Sequence, residues 1–304
     1  MMVPLLQAIQ AGQSSHGIAM ERFYLYAGIT RQGFFQARHR QLCEENLWQE
    51  IALLVKTYRT KTDRRAGFRT LYHNLGVKTR FNIGVGKFEQ LMSENGLSLA
   101  PLRVRVVTTQ SSMQSWNYPN LTNGLVVNDI NQVVVGDLTY VVIGKNRYFL
   151  FCLTDLYSAR IVGYSLGGRM RAEDAKMAMD RWINLRGESN LKGCIHHTDG
   201  GAQYFSGLYL GESKRINLRV SCAENCLMNG YAEQRNGLIK HHLLPTITHT
   251  EGKQLDREIS RIMEAYNSER KQQALGWLSP VEFESKISQL KQRPKMVLYQ
   301  FNKH

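Results

Sequence analysis

The sequence predicts an α/β fold, a mixed five-stranded sheet flanked by helices, preceded by an all-α N-terminal region. Three strand-like apolar runs, at 132–143, 147–155 and 159–166, are separated by only three residues each. Such short spacers suit antiparallel hairpins. After residue 167, helix-like and strand-like segments alternate, which is typical of parallel strands connected through helices. Together the two patterns indicate a single mixed sheet.

The first helix of this α/β part is predicted over 172–187. Its apolar residues Ala175, Met179 and Ile183 recur at helical spacing, acidic residues occupy its first turn, and Gly187 follows as a C-terminal signal. The remaining predicted elements are strands at 192–199 and 217–223 and helices at 229–244 and 253–268.

Residues 1–45 are interpreted as a helix-turn-helix segment. A helical pattern breaks at Gly28, and Thr30 is a suitable N-cap for a second helix. That helix would present Arg31, Gln32 and Arg38 as the start of a DNA-recognition helix. A plain packing unit of two helices is the alternative.

The other segments are assigned by composition. Residues 46–97 form a second helical unit, whose Arg64, Arg65 and Arg69 suggest phosphate contacts or else a solvated charged surface. Ser, Thr, Asn and two prolines dominate 98–130, which is predicted to be a linker. The α/β domain is expected at 131–285 and a basic tail at 286–304.

The chain is strongly basic, with 39 Lys and Arg against 25 Asp and Glu and a net charge of +14. This excess favours a polyanionic partner, in the first place nucleic acid, over a ribosome-associated or merely soluble basic protein. The five cysteines are odd in number, which indicates reduced thiols in a cytosolic protein. No apolar run approaches 18 residues and the start lacks a basic signal region, so neither a membrane helix nor a secretion signal is expected.

Three acidic residues occupy positions that suit a metal-dependent nuclease. Asp137 interrupts an apolar strand-like run, Asp199 ends another, and Glu233 lies in a helix-like segment. A carboxylate in a buried strand costs several kcal/mol unless it is paired or binds a cation. Converging carboxylates with open coordination positions suit Mg²⁺, and paired Mg²⁺ ions catalyse in-line phosphoryl transfer. Taken singly, a salt-bridged strand acid and a solvated helix acid remain alternatives.

Five motifs occur in order along the chain: GDLTY, TDLYSARIVGYSL, HTDGGAQY, CLMNGYAEQRNGLIK and AYNSERKQQALGWLSPVEF, at 136–140, 154–166, 197–204, 226–240 and 265–283. In this combination the chain resembles the transposases of bacterial insertion sequences, in the branch that has a retroviral-integrase-like core and two reading frames. The chain would be the downstream-frame product. The resemblance implies a ribonuclease-H-like fold and an Asp-Asp-Glu catalytic triad.

Carried onto this sequence, the resemblance makes Asp137, Asp199 and Glu233 the catalytic residues and the ligands of two Mg²⁺ ions per active site, for which Mn²⁺ may substitute. The implied activity is cleavage at transposon ends and transfer of the resulting 3′-OH to a target, that is, DNA integration and recombination. The further matches near the site are expected to contact DNA; they are His197, Gln203, Tyr204, Asn229 and Lys240. Asn229, Glu233, Gly237 and Lys240 share one polar stripe of an ideal helix.

Asn267 and Arg270 match another element of the family and are assigned, like Asp155, to structural roles. The expected partners are double-stranded DNA, at transposon ends and target, and further copies of the chain, with an upstream-frame protein as an additional candidate. The expected location is the bacterial cytoplasm, in association with the nucleoid. The spacing of Cys222, Cys226, His241 and His242 does not match a zinc finger, so structural zinc is not predicted. A catalytically silent DNA-binding relative and a structure-specific nuclease remain the competing functions.

Overall fold

The computed structural model describes residues 24–25, 27–101, 118–223, 230–249 and 251–298, and within these ranges the side chains of 230, 232 and 233 are not described. The chain divides into two compact units, residues 1–54 and 55–304. In chain order the main helices are α1 (Arg31–Lys61), α2 (Phe68–Asn74), α3 (Val77–Phe81), α4 (Val85–Glu94), α5 (Ala172–Arg186), α6 (Gly207–Arg215), α7 (Gly230–Leu238), α8 (Gly252–Ser268) and α9 (Pro280–Ser288). The strands are β1 (Val126–Val127), β2 (Val133–Ile143), β3 (Asn146–Asp155), β4 (Ile161–Gly167), β5 (Ile195–Thr198), β6 (Arg219–Cys222) and β7 (Met296–Val297).

Helix α1 begins where the sequence predicts and ends much later. Gly28 has a left-handed φ of 65°, and the Thr30 hydroxyl accepts a hydrogen bond from the Gly33 amide at 3.0 Å, which is the predicted break and N-cap. The helix then continues to Lys61, because no glycine or proline follows Gly33 within it. The segment boundary expected at residue 45 therefore falls inside a continuous helix. Residues 1–23 of the expected helix-turn-helix lie outside the described residues.

The second helical segment contains the short helices α2, α3 and α4. Leu71, Val77 and Phe88 are completely buried and Met92 is nearly so, which packs these helices together. Gly96 follows α4 with a φ of 66°, in the C′ position that the sequence predicts.

The sheet confirms the predicted fold class. Its strand order is β4-β3-β2-β5-β6. β2, β3 and β4 are antiparallel neighbours, as the three-residue spacers require, whereas β5 and β6 run parallel to β2. The five strands thus form the mixed sheet that the alternation of patterns predicts.

Helices cover both faces of this sheet. On one face α5 and α6 pack against β2 and β3, with Trp182 and Tyr209 buried in the contact. On the other face the end of the α7 segment and α8 pack against β2, β3 and β4, with Ile239 and Tyr266 buried. Because side chains alternate along a strand, each polar residue in β2 belongs to one of these two environments.

Two segments expected to lie outside the domain are part of it. Strands β1 and β7 pair with each other, and Val127 and Leu298 are buried beside α9. The amide of Leu121 donates to the Ser221 hydroxyl at 2.9 Å, which attaches this segment to β6. The linker expectation is therefore wrong for 118–130, and the tail expectation is wrong for 293–298. Residues 102–117 and 299–304 are outside the described part.

Candidate active site

Asp137 and Asp199 directly follow the last residue pair of the parallel β2–β5 pairing, Asp137 within β2 and Asp199 just after the end of β5. The last paired residues of β2 and β5 are Gly136 and Thr198, and the two acids directly follow them. Neighbouring strands are about 4.8 Å apart, and residues opposite each other in a parallel pair share a face of the sheet. The fold therefore brings together two carboxylates that are 62 positions apart in the chain. Ligand sites of α/β sheets commonly occupy this position.

The Asp137 carboxylate is held by one main-chain and one side-chain donor. Its Oδ1 accepts a hydrogen bond from the Leu138 amide at 2.9 Å, and its Oδ2 accepts one from the Asn236 side-chain amide at 2.6 Å. Asn236 is buried, with 4% of its surface exposed. It lies on α7, so this helix is attached directly to the first acid. Asn236 is not among the predicted site residues, although its position three residues after Glu233 places it on the same helical face.

The Asp199 carboxylate receives only main-chain help. Its Oδ1 accepts a hydrogen bond from the Gly201 amide at 3.2 Å. Burial raises the pKa of Asp199 above its usual range, although backbone hydrogen bonds act in the opposite direction. No ion pair to Asp199 occurs among the described residues. Its ionised form is therefore one that an external cation would stabilise.

Glu233 belongs to α7, but its side chain lies outside the described part of the chain. Helix α7 packs against β2 and β3, and its backbone places position 233 one turn before Asn236. Beyond Leu238 the helix widens into a π-helical turn, Ile239–Leu243. This change interrupts the ideal polar stripe that the sequence suggested for Lys240.

The donor chemistry fits a divalent cation. Asp137 and Asp199 offer carboxylate oxygens, the ligands that Mg²⁺ prefers. Among the described side chains, which do not include Glu233, no cluster of three His, Cys, Asp or Glu residues is arranged to hold a metal. The two aspartates thus suit a divalent cation by their chemistry, and the α7 backbone places position 233 one turn before the Asn236 contact to Asp137.

Comparison with known proteins decides the family. Two family models, both described as Integrase core domain, match residues 128–226 and 214–280, which together span half of the chain. The chain is 29% identical over 271 residues to a 31 kDa protein of insertion element IS600 from Shigella sonnei, covering 86% of this chain and 97% of the relative. It is 29% identical over 217 residues to the transposase of IS904 from Lactococcus lactis, covering 70% of this chain and 83% of the relative. The chain belongs to the insertion-sequence transposases with an integrase core.

Similarity extends to further transposases and to solved integrases. The transposase of IS3 from Escherichia coli is 34% identical over 148 residues, which cover 45% of this chain and 48% of the relative. A magnesium-bound catalytic core of HTLV-2 integrase matches with a TM-score of 0.42 and 19% identity, covering 51% of this chain and 97% of the integrase. The integrase in a simian T-cell lymphotropic virus intasome matches with a TM-score of 0.47 and 14% identity, covering 82% and 80% of the two chains. Family membership confirms the expected resemblance and makes the chain a polynucleotidyl-transferase-type enzyme of DNA transposition.

A buried aromatic cluster supports this integrase core beneath Asp199. The Tyr209 hydroxyl hydrogen-bonds to His196 Nε2 at 2.7 Å, and His196 Nδ1 lies 3.2 Å from the carbonyl of Val134. Burial lowers the pKa of His196 to about 4, so the ring is neutral at pH 7. Since Nδ1 then donates to the carbonyl, Nε2 accepts from Tyr209. This neutral network fixes β5 against β2 at the position that precedes the acids.

Two residues that were expected to contact DNA are buried in the structure. Tyr204 is 2% exposed and packs against Phe151, His196 and Tyr209. His197 is 1% exposed and bonds to the Ser221 hydroxyl at 2.8 Å. Both side chains lie beneath the surface of the integrase core, where DNA does not reach them in this conformation. The sequence could not separate them from surface residues, because the apolar run and the polar motif overlap there.

The remaining expected contacts are distributed as follows. Gln203 is half-buried, Asn229 lies outside the described residues, and the ammonium of Lys240 is 4.2 Å from the ring centre of Tyr140. Arg31, Gln32 and Arg38 are exposed on α1.

In the second helical segment, arginines expected to contact phosphate also make contacts within the protein. Arg64 Nη1 donates to the carbonyl of Pro245 at 3.3 Å, and Arg65 Nη2 donates to that of Ala100 at 2.6 Å. Arg69 is exposed beside the Phe68 ring. Asp63, the neighbour of these arginines, is not among the predicted site residues and is completely buried.

The residues assigned to structural roles all make buried contacts. Asp155 accepts hydrogen bonds from the amides of Asn131, Tyr157 and Ser158. The Asn267 side chain bonds both the amide and the carbonyl of Ile161, at 2.9 and 2.8 Å. Arg270 Nε donates to Asp63 at 3.1 Å, so it attaches the second helical segment to the catalytic domain. None of the described helices has the length and apolar character needed to span a bilayer.

Proposed function

We propose that Asp137, Asp199 and Glu233 form the catalytic triad of a transposase that cleaves DNA at transposon ends and transfers the new 3′-OH to a target strand. One observation carries the proposal: Asp137 and Asp199 directly follow the last pair of the parallel β2–β5 pairing, and α7 is attached to Asp137 through Asn236. Family membership and the order of the three acids along the chain support the assignment of Glu233.

The three carboxylates would hold Mg²⁺, with Mn²⁺ as a substitute. When bound at these carboxylates, such ions would supply electrostatic stabilisation of the charge that develops in an in-line displacement. The burial of Asp199 fits this role, because an unpaired carboxylate with a raised pKa gains most from an added cation.

The chain's own residues orient the acids. Asn236 fixes Oδ2 of Asp137 through a 2.6 Å hydrogen bond, and the Gly201 amide fixes Oδ1 of Asp199. Gly136 lets His196 and Thr198 pack directly against the β2 backbone, since a Cβ there would lie 2.9 and 3.2 Å from their side chains. The result is a rigid support, which a catalytic site requires to within fractions of an ångström.

DNA binding is assigned to basic and polar residues outside the triad. Arg31, Gln32 and Arg38 at the start of α1 are proposed to contact the transposon end, and Lys240 to contact phosphate near the acids. Joining two ends to one target requires more than one active site, so the active form is proposed to be a homo-oligomer on DNA.

The test compares cleavage and joining by the unmodified chain with Asp137→Asn, Asp199→Asn and Glu233→Gln. The substrate is a labelled duplex that carries the ends of the insertion sequence encoding this chain, with Mg²⁺ or Mn²⁺. Each triad variant should bind this duplex and fail to cut it. Asp256→Asn and Glu264→Gln are matched controls because both acids are exposed on α8 and should leave activity unchanged.

Other outcomes separate the competing functions. Cleavage by a triad variant at the unmodified rate would refute the assigned site. Binding without any cleavage by the unmodified chain would indicate a silent DNA-binding protein. Cleavage without joining of the cut end to a target duplex would indicate a structure-specific nuclease.

A further inference from the structure

An open cleft of about 640 Å³ lies along helix α7, on the side away from the acids. Gln234 and Leu238 line the cleft and are each two residues from Asn236, which places them on the opposite side of the helix from the Asp137 contact. The start of α2 and residues 270–277 form the other walls. The proposed catalytic helix therefore has the acids on one side and this cleft on the other.

Most of the described residues that line the cleft carry side-chain hydrogen-bond donors, and none of them is acidic. Four of its lining residues are cationic: Arg69, Arg235, Arg270 and Lys271. Arg270 is neutralised by the buried Asp63, to which its Nε donates at 3.1 Å. The described structure shows no ion pair to any of the other three. Such a concentration of positive charge suits an anionic ligand.

Several contacts hold the floor of the cleft in place. Arg235 Nη1 donates to the side-chain carbonyl of Gln272 at 2.8 Å. Gln272 is 5% exposed, and its Nε2 has no hydrogen-bond partner among the described residues. A buried donor without a partner is unfavourable, and an anionic oxygen in the cleft would supply the missing acceptor. The amide of Lys271 is fixed by the side chain of Asn74 at 3.0 Å.

One wall carries a flat aromatic surface. The rings of His73 and Trp277 stack at 3.9 Å between centroids and 12° between planes. Burial and the nearby Lys271 lower the pKa of His73, so this ring is neutral at pH 7. Trp277 has a left-handed φ of 62°, a conformation that is costly outside glycine and asparagine. The turn 276–277 therefore holds the indole in a defined position beside the cations.

We propose that this cleft binds the phosphodiester backbone of a DNA strand, with Arg69, Arg235 and Lys271 on phosphates and Trp277 against a sugar or base. Arginine and lysine supply most protein contacts to phosphate, and aromatic rings next to them are typical of strand-binding grooves. The inference rests on the proposed function in that DNA is the substrate, and it adds a second DNA contact on the far side of α7. A strand held on both sides of this helix would be positioned by α7 as a whole.

The test measures DNA binding alone, by fluorescence anisotropy in EDTA, so that cleavage plays no part. The probes are a labelled duplex of about 30 base pairs and its single strand, titrated at several salt concentrations. Arg69→Gln/Lys271→Gln should weaken binding about tenfold at moderate salt and reduce the salt slope by about 2, since each phosphate contact contributes about 0.9. Lys192→Gln/Lys286→Gln is the matched control, because both lysines are exposed and lie outside the cleft lining.

A second pair of variants changes charge without removing an existing contact. Gln273 is exposed and lines the cleft. Gln273→Glu should weaken DNA binding and Gln273→Lys should strengthen it, each several-fold, with unchanged thermal midpoints. This pair keeps the proposal testable if the double variant is unstable.

Unchanged affinity and salt slope in the cleft variants would overturn the proposal. So would variants that bind DNA normally and lose binding to a polyglutamate peptide, which would assign the cleft to an acidic protein segment. Asp137→Asn should bind DNA in EDTA as the unmodified chain does. If Asp137→Asn also cleaves DNA normally with Mg²⁺, the proposed triad is refuted and the proposed cleft is not affected. If Asp137→Asn loses cleavage but the cleft variants bind DNA normally, the proposed cleft is refuted and the triad is supported.

Discussion

Asp63 is completely buried and Asp199 is partly buried, and the protein treats the charges of these two aspartates in opposite ways. Asp63 accepts from Arg270 Nε at 3.1 Å and lies 2.9 Å from His242 Nδ1, and these partners outweigh burial, so its pKa is lowered. Asp199 has main-chain donors only, and burial raises its pKa. A carboxylate whose cations come from the protein holds two segments together. A carboxylate without them is prepared to bind a cation from outside.

Asp155 shows that a raised pKa does not by itself identify a catalytic acid. Burial raises its pKa too, although three amides and the more distant Arg186 oppose this. Arg186 is shared with Glu284, whose Oε1 lies 2.5 Å from its Nη2. Asp155 is buried within the domain, where amides and Arg186 of the chain itself contact its carboxylate. Asp199 instead follows the end of a strand and lies near a second acid. Position in the fold therefore distinguishes Asp199, the proposed catalytic acid, from Asp155, which is assigned a structural role.

The largest effect is expected from Asp63→Asn. This change leaves the buried Arg270 without its counter-charge, which costs about 3–5 kcal/mol of the free energy of unfolding. Asp199→Asn in EDTA should instead be neutral or stabilising, because it removes an unpaired buried charge. Urea unfolding of both variants at pH 7 gives the comparison, with Asp256→Asn as an exposed control. Equal losses in the free energy of unfolding for Asp63→Asn and Asp199→Asn would contradict the distinction between a paired and an unpaired carboxylate.

The contributions of Asp63 and Asp199 to the free energy of unfolding should change with pH in opposite directions. The folded-state pKa of Asp63 is depressed, so its contribution is present above the unfolded value of about 3.9 and is lost as pH falls through the folded pKa. The folded pKa of Asp199 is raised, so its charge opposes folding at pH 7 and this penalty disappears as pH falls through that raised pKa. The penalty of Asp63→Asn should therefore shrink only in acid below about pH 4. The gain from Asp199→Asn should begin to shrink at higher pH.

Added divalent cation should produce the next largest effect. A ligand present at 100 times its dissociation constant stabilises the folded state by about 2.7 kcal/mol. Mn²⁺ should therefore raise the thermal midpoint of the unmodified chain and leave that of Asp199→Asn unchanged. Asp63→Asn should respond to Mn²⁺ like the unmodified chain, from its lower starting point. If Mn²⁺ still raises the thermal midpoint of Asp199→Asn, the cation binds at a site that does not include Asp199.

Gly136→Ala tests the packing beneath the acids. A Cβ at this position would lie 2.9 Å from His196 Cε1, 3.1 Å from Leu153 Cδ2 and 3.2 Å from Thr198 Cγ2. Overpacking of this kind costs about 1–3 kcal/mol, and the shift of the neighbouring Asp137 should abolish most cleavage. Gly168→Ala is the matched control, since nothing lies within 4 Å of a Cβ there. Thermal unfolding and cleavage assays that show no difference between the two variants would contradict this packing argument.

Local pattern in the sequence accounts for the sheet and for the placement of two acids. The apolar runs and three-residue spacers determine which strands pair, and a parallel β5 beside β2 then brings Asp199 next to Asp137. The Asp63 site could not be found this way, because its partners His242 and Arg270 are 179 and 207 positions away. Strands β1 and β7 are two residues long, too short for any periodicity to reveal.

Asn236 was missed for a different reason. The sequence does predict the helix that carries it, but the prediction of which side chains face the acids assumed an ideal α-helix throughout. An ideal helix from 229 to 240 groups Glu233 with Gly237 and Lys240, but the α-helical turn ends at Leu238 and a π-helical turn follows. The residue that contacts Asp137 lies three positions after Glu233, not four. Periodicity identified the helix but not the side chain that attaches it to the sheet.

The smallest effect on stability is expected from Asn236→Ala, and its value lies in separating stability from catalysis. The change removes the amide that donates to Asp137 Oδ2 at 2.6 Å and should cost about 1–3 kcal/mol, since the amide bonds a carboxylate. Because Asp137 then loses the side chain that orients it, cleavage should fall at least tenfold while DNA binding in EDTA is retained. Asn236→Gln offers the same amide one methylene further away and should restore stability better than activity. A parallel loss of stability and cleavage in both variants would reduce Asn236 to a packing residue.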